Sequence, residues 1–193
     1  MNYLVQMKQR YLKYLNDLNT RSKDGHQKYP IELSGFYAST RNNPLFKDHR
    51  DHDHITTFLS GQLRDLSSQY ETPQTINTYK THVTGLITIM ESNFSDYFKD
   101  GIFKVSHAQK SLSVYLKYRW CQYNALPSPP ACPIDSNVLC RLGWPYCKRR
   151  WTQMHLDSYN EILELLLRRA EEYQISIAEM ELKWFDEMII TKK

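Results

Sequence analysis

From Leu156 onward, apolar residues recur in alternating steps of three and four: Leu156, Tyr159, Leu163, Leu166, Ala170 and Tyr173. Such a stripe runs along one side of an α-helix, whereas a strand places every second residue on the same face. A break follows at Gln174-Ile175. Ser176 and Glu179 then stand at the spacing of a capping box, in which each side chain satisfies a backbone amide near the other. The final helix is expected to carry Ile177, Met180, Trp184 and Met188 inward. Two helices joined by so short a turn are predicted to pack as an antiparallel hairpin. No part of the chain shows sustained strand alternation. The predicted class is therefore all-α, a single compact multi-helix domain over residues 1–193.

The upstream chain reads the same way with more interruptions. A first helix spans about Tyr3 to Leu18, with Leu4, Met7, Tyr11, Tyr14 and Leu18 on one face and Lys8, Arg10 and Lys13 off it. Residues 19–53 hold Gly25, Pro30, Gly35 and Pro44 and are expected to be irregular. A helix from Asp53 to Gln69 follows, striped by Leu59, Leu63 and Leu66. Thr72 is the expected N-cap of the next, with Pro73 in its first turn. Its apolar face is Ile76, Tyr79, Val83, Leu86 or Ile87, Met90 and Phe94. Ser106 and Gln109 suggest a second capping box, opening a helix from His107 to about Tyr123. Leu112, Tyr115, Leu116, Trp120 and Tyr123 mark one face of that helix; Lys110, Val114, Lys117 and Cys121 mark another. Pro127, Pro129 and Pro130 end it and hold the following loop extended.

A chain of 193 residues buries a core without disulfide staples. No run approaches the roughly 18 consecutive apolar residues of a membrane span, and the first residues lack the basic-then-apolar pattern of a secretory signal. Four cysteines without an export signal are expected to be reduced thiols in a cytoplasm. Charge is uneven. Residues 1–156 carry 20 Lys/Arg against 12 Asp/Glu, net +8, while residues 157–191 carry 3 against 9, net −6. A basic body of this kind can meet phosphates.

One block carries most of the chemical information. Ser106-His107-Ala108-Gln109-Lys110-Ser111-Leu112 opens a helix, and Pro133-Ile134-Asp135-Ser136-Asn137-Val138 follows the proline loop. This block, over about residues 100–145, resembles the active-site segment of the helix-hairpin-helix DNA glycosylases. There, a lysine near a helix start is followed through a loop by an aspartate in a Pro-hydrophobic-Asp-Ser/Thr-His/Asn-Val context. The spacing is most similar to that of the archaeal 8-oxoguanine glycosylase branch. The resemblance implies that Lys110 and Asp135 are the catalytic pair, acting on a damaged base in DNA. The family's Gly-hydrophobic-Gly hairpin is represented by Gly101-Ile102-Phe103-Lys104-Val105, with one glycine. The block also resembles that of small proteins of prophages and gene cassettes, which brings no activity with it.

Chain geometry allows the two groups to meet. A helix from Lys110 to Asn124 climbs about 21 Å, and the ten residues 125–134 span at most about 33 Å. An amine must be neutral to attack a sugar C1′. A carboxylate beside it can move protons or steady a developing positive charge. The ordinary alternatives are a solvated helix lysine for Lys110 and, for Asp135, the N-cap of a short helix from Ser136 to Leu142.

The remaining candidates are cations and aromatics that could meet DNA. They are Lys104, His107 and Lys117 around the lysine, and Arg141, Trp144, Lys148, Arg149 and Arg150 after the aspartate. Aromatic planes stack on bases while cations hold phosphates. Asp48 to His54 alternates Asp and His as a metal site might require, but Arg50 interrupts it and one short segment offers poor tetrahedral geometry; it reads as a polar loop. The cysteines have 10, 7 and 6 residues between them and match neither an iron–sulfur pattern nor a Cys-x-x-Cys zinc site. No metal or other cofactor is expected. The alternative function is a non-enzymatic helical interaction module of a mobile element, binding a protein partner or itself.

Overall fold

The computed structural model describes residues 3–19, 29–42, 44–48, 52–143 and 145–191. Its architecture is all-α and compact. The helices are α1 (Tyr3–Asn19), α2 (Ser34–Asn42), α3 (Asp53–Ser68), α4 (Ile76–Phe94), α5 (Val105–Gln122), α6 (Ser136–Arg141), α7 (Leu156–Glu172) and α8 (Ile177–Thr191), with short 3-10 turns between several of them. Among the described residues the only extended pairing is an isolated antiparallel bridge between Phe46 and Phe98.

α5 is the axis. Val105 to Val114 are buried without a gap, and Leu116, Lys117, Trp120 and Cys121 continue the pattern. A helix buried on all faces has neighbours on all faces, and α1, α2, α3 and α4 all pack on it. The main core gathers Leu59, Leu63, Tyr79, Val83, Leu112 and Leu163 around its first half. A smaller core of Met7, Tyr11, Leu15, Trp120 and Leu182 joins α1, α8 and its second half.

α2 lies inside the stretch expected to be irregular. Its sequence, Ser-Gly-Phe-Tyr-Ala-Ser-Thr-Arg-Asn, is poor in strong helix formers. Burial supplies what propensity lacks: Phe36 is 1% exposed and its ring meets those of Phe103 and His107. Gly35 makes this possible. A Cβ there would lie 2.2 Å from the Lys110 carbonyl oxygen and 2.9 Å from the Val114 Cβ. The glycine is a helix-crossing residue and not a turn former.

Other boundaries shift for local reasons. α4 is capped by Thr75, whose hydroxyl accepts the Thr78 N–H at 3.1 Å, because residues 69–71 prolong α3 as a 3-10 turn. Ser106 and Gln109 lie inside α5, fully buried, and do not form a capping box. On α1 the core-facing residues are Met7, Lys8, Tyr11 and Leu15, while Tyr14 faces outward. The Lys8 ammonium donates to the Trp120 carbonyl at the end of α5, where the helix dipole favours a cation.

The middle of the α7 stripe matches expectation, with Tyr159, Leu163, Leu166 and Ala170 buried, whereas Leu156 and Tyr173 at its ends are exposed; the Ser176/Glu179 capping box forms as expected. The Ser176 N–H donates to Glu179 Oε2 and the Glu179 N–H donates to Ser176 Oγ, both at 3.1 Å. α7 ends in a Schellman arrangement, with Ile175 N–H donating to the Ala170 carbonyl and Gln174 N–H to the Glu171 carbonyl. Gln174 occupies the left-handed position with φ 54°. α8 makes its most extensive contact with α1 and also touches α6 and α7.

Two stability changes follow. Gly35→Ala forces a Cβ into backbone and lowers unfolding free energy by about 2–3 kcal/mol; wild-type stability in a urea titration would refute the close crossing. Gln174→Gly removes the left-handed penalty and raises stability by about 1 kcal/mol, measured in the same way.

Candidate active site around Lys110 and Asp135

The proline-rich segment after α5 returns along the helix it has just left. Gln109 anchors it. The Gln109 side-chain amide donates through Nε2 to the Ile134 carbonyl at 2.8 Å, and its Oε1 accepts the Ile134 N–H at 3.1 Å. Both groups are buried, so each leaves no orphaned partner. One residue further on, the Lys110 ammonium donates to Asp135 Oδ2. The other oxygen, Oδ1, accepts the N–H groups of Asn137 at 3.0 Å and Val138 at 3.2 Å. Asp135 thus caps α6 with one oxygen and pairs Lys110 with the other.

The electrostatics around this contact are dense. Burial works to raise the Asp135 carboxyl; the Lys110 charge, its hydrogen bond and the two α6 amides outweigh it and hold the group below the ordinary carboxylate value. The Lys110 and Asp135 side chains are 10% and 24% exposed, so the pair is sheltered but reachable. The Trp151 ring centroid lies 5.7 Å from the Lys110 amine.

A second ion pair lies one stratum deeper. The Lys117 ammonium donates to Glu181 Oε2 at 2.5 Å, and stands 4.1 Å and 4.6 Å from the ring centroids of Tyr11 and Phe185. Burial pushes the Glu181 carboxyl up; Lys117 opposes this and Asp135 adds to it. A cleft of about 250 Å³ opens on this side, with Asp135, Glu181, Arg141, Trp184, Phe185 and Met188 in its walls. Two carboxylates displaced in opposite directions and facing one aromatic cleft form an arrangement suited to acid–base chemistry.

The expected DNA-facing residues divide. Arg141, Lys148, Arg149 and Arg150 are exposed. Arg141 pairs with Glu187 at 2.9 Å beside the cleft. Arg149 pairs with Glu161 and lies over the Tyr146 ring. Arg149 and Arg150 also line a second cleft of about 370 Å³ that has Trp151 in its wall. Lys104 stands at the N-cap position of α5, partly exposed. His107 and Lys117 are corrected: at 0% and 2% exposure they cannot touch a nucleic acid. His107 packs among Phe36 and Phe103, and Lys117 is committed to Glu181. Trp144 lies outside the described residues, as do His49, Arg50 and Asp51. His52 stacks on Phe46, and His54 meets Phe94 and Tyr97. Among the described residues no group of three or more His, Cys, Asp or Glu is placed to hold a metal ion.

Glu181 and the anchoring role of Gln109 escaped the sequence reading. Glu181 had left a signal. It follows Ile177 by four and precedes Trp184 by three, which puts a carboxylate on the inward stripe of α8.

The ion pair predicts a pH signature. A carboxyl held below its unfolded value contributes stability that is fully present above about pH 3.9, the ordinary aspartate value, and is lost as pH falls through its folded value. Asp135→Asn keeps a capping oxygen but removes the charge. It lowers stability by about 1.5–3 kcal/mol near neutral pH, and the gap to wild type narrows as urea titrations move into acid. A pH-independent gap would count against the pairing. Comparison of the chain with protein-family models, curated proteins and solved structures finds no match.

Proposed function

We propose that this chain is a DNA glycosylase-like protein that recognises or excises a damaged base, with Lys110 as the amine and Asp135 as the carboxylate. The observation that carries the reading is their direct contact across 25 residues of sequence, at the edge of a cleft with aromatic walls. Asp135 lines that cleft, and Lys110 sits behind it with its side chain 10% exposed.

The chemistry runs from these groups. The Lys110 ammonium gives up its proton toward Asp135, the base it already touches. The neutral amine adds at C1′ while the C1′–N bond breaks, and the electron pair leaves with the base, which takes the proton that Asp135 received. Asp135, again ionised, steadies the positive charge that develops on the sugar. The added nitrogen then loses its two protons, one to solvent and one to O4′ as the C1′–O4′ bond breaks, which opens the sugar ring and gives a Schiff base. A base swung out of the stack would rest between Trp184 and Phe185. Arg149 and Arg150, which line the neighbouring cleft with Trp151, would meet phosphates of the flanking strand, Arg149 by exchanging Glu161 for them.

One observation favours the second reading, a helical interaction module. Tyr3 and Tyr173 are 53% and 56% exposed and share a groove of about 570 Å³ with Leu4, Met7, Met180 and Trp184. Such a groove suits a protein partner or a second copy of the chain.

Borohydride trapping separates the two. Duplexes carrying 8-oxoguanine or uracil, incubated with protein and borohydride, are expected to yield a covalent adduct. Lys110→Gln abolishes it, and Asp135→Asn lowers its rate by a hundredfold or more, on the order expected for a proton-transfer group. No adduct across a panel of lesions would end the enzyme reading and leave the interaction module.

A further inference from the structure

The four cysteines fall into two classes. Cys121 and Cys132 are buried, whereas Cys140 and Cys147 are exposed. Burial pushes the thiols of Cys121 and Cys132 up, away from the reactive thiolate form. Cys140 ends the second turn of α6, and Cys147 lies in the 3-10 turn Tyr146–Lys148 that packs against it. Gly143, with φ +86°, reverses the chain between them. Its N–H donates to the Cys140 carbonyl at 3.1 Å, and its carbonyl accepts the Cys147 N–H at 3.2 Å. The turn thereby sets the two cysteines side by side, one on α6 and the other on the 3-10 turn packed against it.

We infer that Cys140 and Cys147 form a dithiol modification site that closes to an internal disulfide by exchange with low-molecular-weight disulfides. Solvent reaches both sulfurs, so a small disulfide can approach either. One thiolate attacks a sulfur of that disulfide, giving a mixed disulfide and releasing one small thiolate. The second cysteine, as its thiolate, attacks the protein sulfur of the mixed disulfide and releases the other. Two protein thiols and one small disulfide become one protein disulfide and two small thiols. The second step is fast because its nucleophile is already in place.

The location gives the closure a consequence. Cys140 lies in the wall of the cleft that holds Asp135 and Arg141, and Cys147 is followed directly by Lys148, Arg149 and Arg150. The bridge ties this basic turn to the helix that Asp135 caps. Regulation of base excision by this tie rests on the function proposed above; the bridge itself does not.

The experiment uses the folded full chain equilibrated with oxidised glutathione, quenched in acid, alkylated and mapped by mass spectrometry. The expected product has lost two hydrogens and carries a Cys140–Cys147 link within one chain. Cys147→Ser is expected to stop at a stable glutathione adduct on Cys140. Glutathione retained on Cys140 or Cys147 of the native chain, a link between two chains, or a loss of two hydrogens in Cys147→Ser would each overturn the inference. Borohydride trapping of the reduced and oxidised forms is read separately. An absence of adduct in both removes the enzyme reading and leaves the mapped bridge standing.

Discussion

A helix enclosed on every side must find partners for every polar group it carries, and α5 carries many. His107, Gln109, Lys110, Ser111, Ser113 and Lys117 are all buried on it. An unpaired buried amide or charge costs more than the same group in water by an amount that threatens a marginally stable fold. The architecture meets that demand for Gln109, Lys110, Ser111, Ser113 and Lys117. Ser111 and Ser113 turn back on the carbonyls of His107 and Gln109. Gln109 takes both backbone groups of Ile134, and the two lysines each take a carboxylate. The proximity of Lys110 and Asp135 is therefore a consequence of burying α5 as well as the heart of the candidate site.

The same constraint accounts for the uneven distribution of charge. The acid-rich C-terminal part is in some measure the counterion of the basic body. Glu181 reaches inward to Lys117. Asp186, 1% exposed, holds Arg10 of α1 by two hydrogen bonds of 2.5 and 2.7 Å. Arg141 and Arg149 are met by Glu187 and Glu161. Charge that reads in sequence as a surface for phosphates is thus partly spent within the molecule, and the net +4 of the chain understates how closely its signs are matched.

Asp135 shows why two explanations of one residue need not compete. A carboxylate has two oxygens, each with two lone pairs. As an N-cap it orients α6 and with it Arg141 and Cys140; as the partner of Lys110 it faces the cleft. The capping bonds hold its rotamer, and a fixed rotamer is what a charged group near a reaction centre requires.

Periodicity made α3, α5, α7 and α8 legible, and the Ser176/Glu179 box gave the start of α8, because those signals are local and repeat along the chain. The return of the proline segment to Lys110 was also legible, since helix rise and loop length bounded the distance. α2 was not, because a helix rich in Ser and Thr with a glycine in its first turn is held by burial against α5 rather than by its own propensity. His107 and Lys117 carried no local mark of their burial: a cation on one face of an amphipathic pattern looks solvated until a second helix covers that face. Residue order alone thus determined the helical class and most of the helices, and it allowed the pairing of Lys110 with Asp135 without deciding it. Only the tertiary structure decided which polar residues turn inward, since that depends on Gly35, Gln109 and Glu181 supplying room and partners from segments far away in the chain.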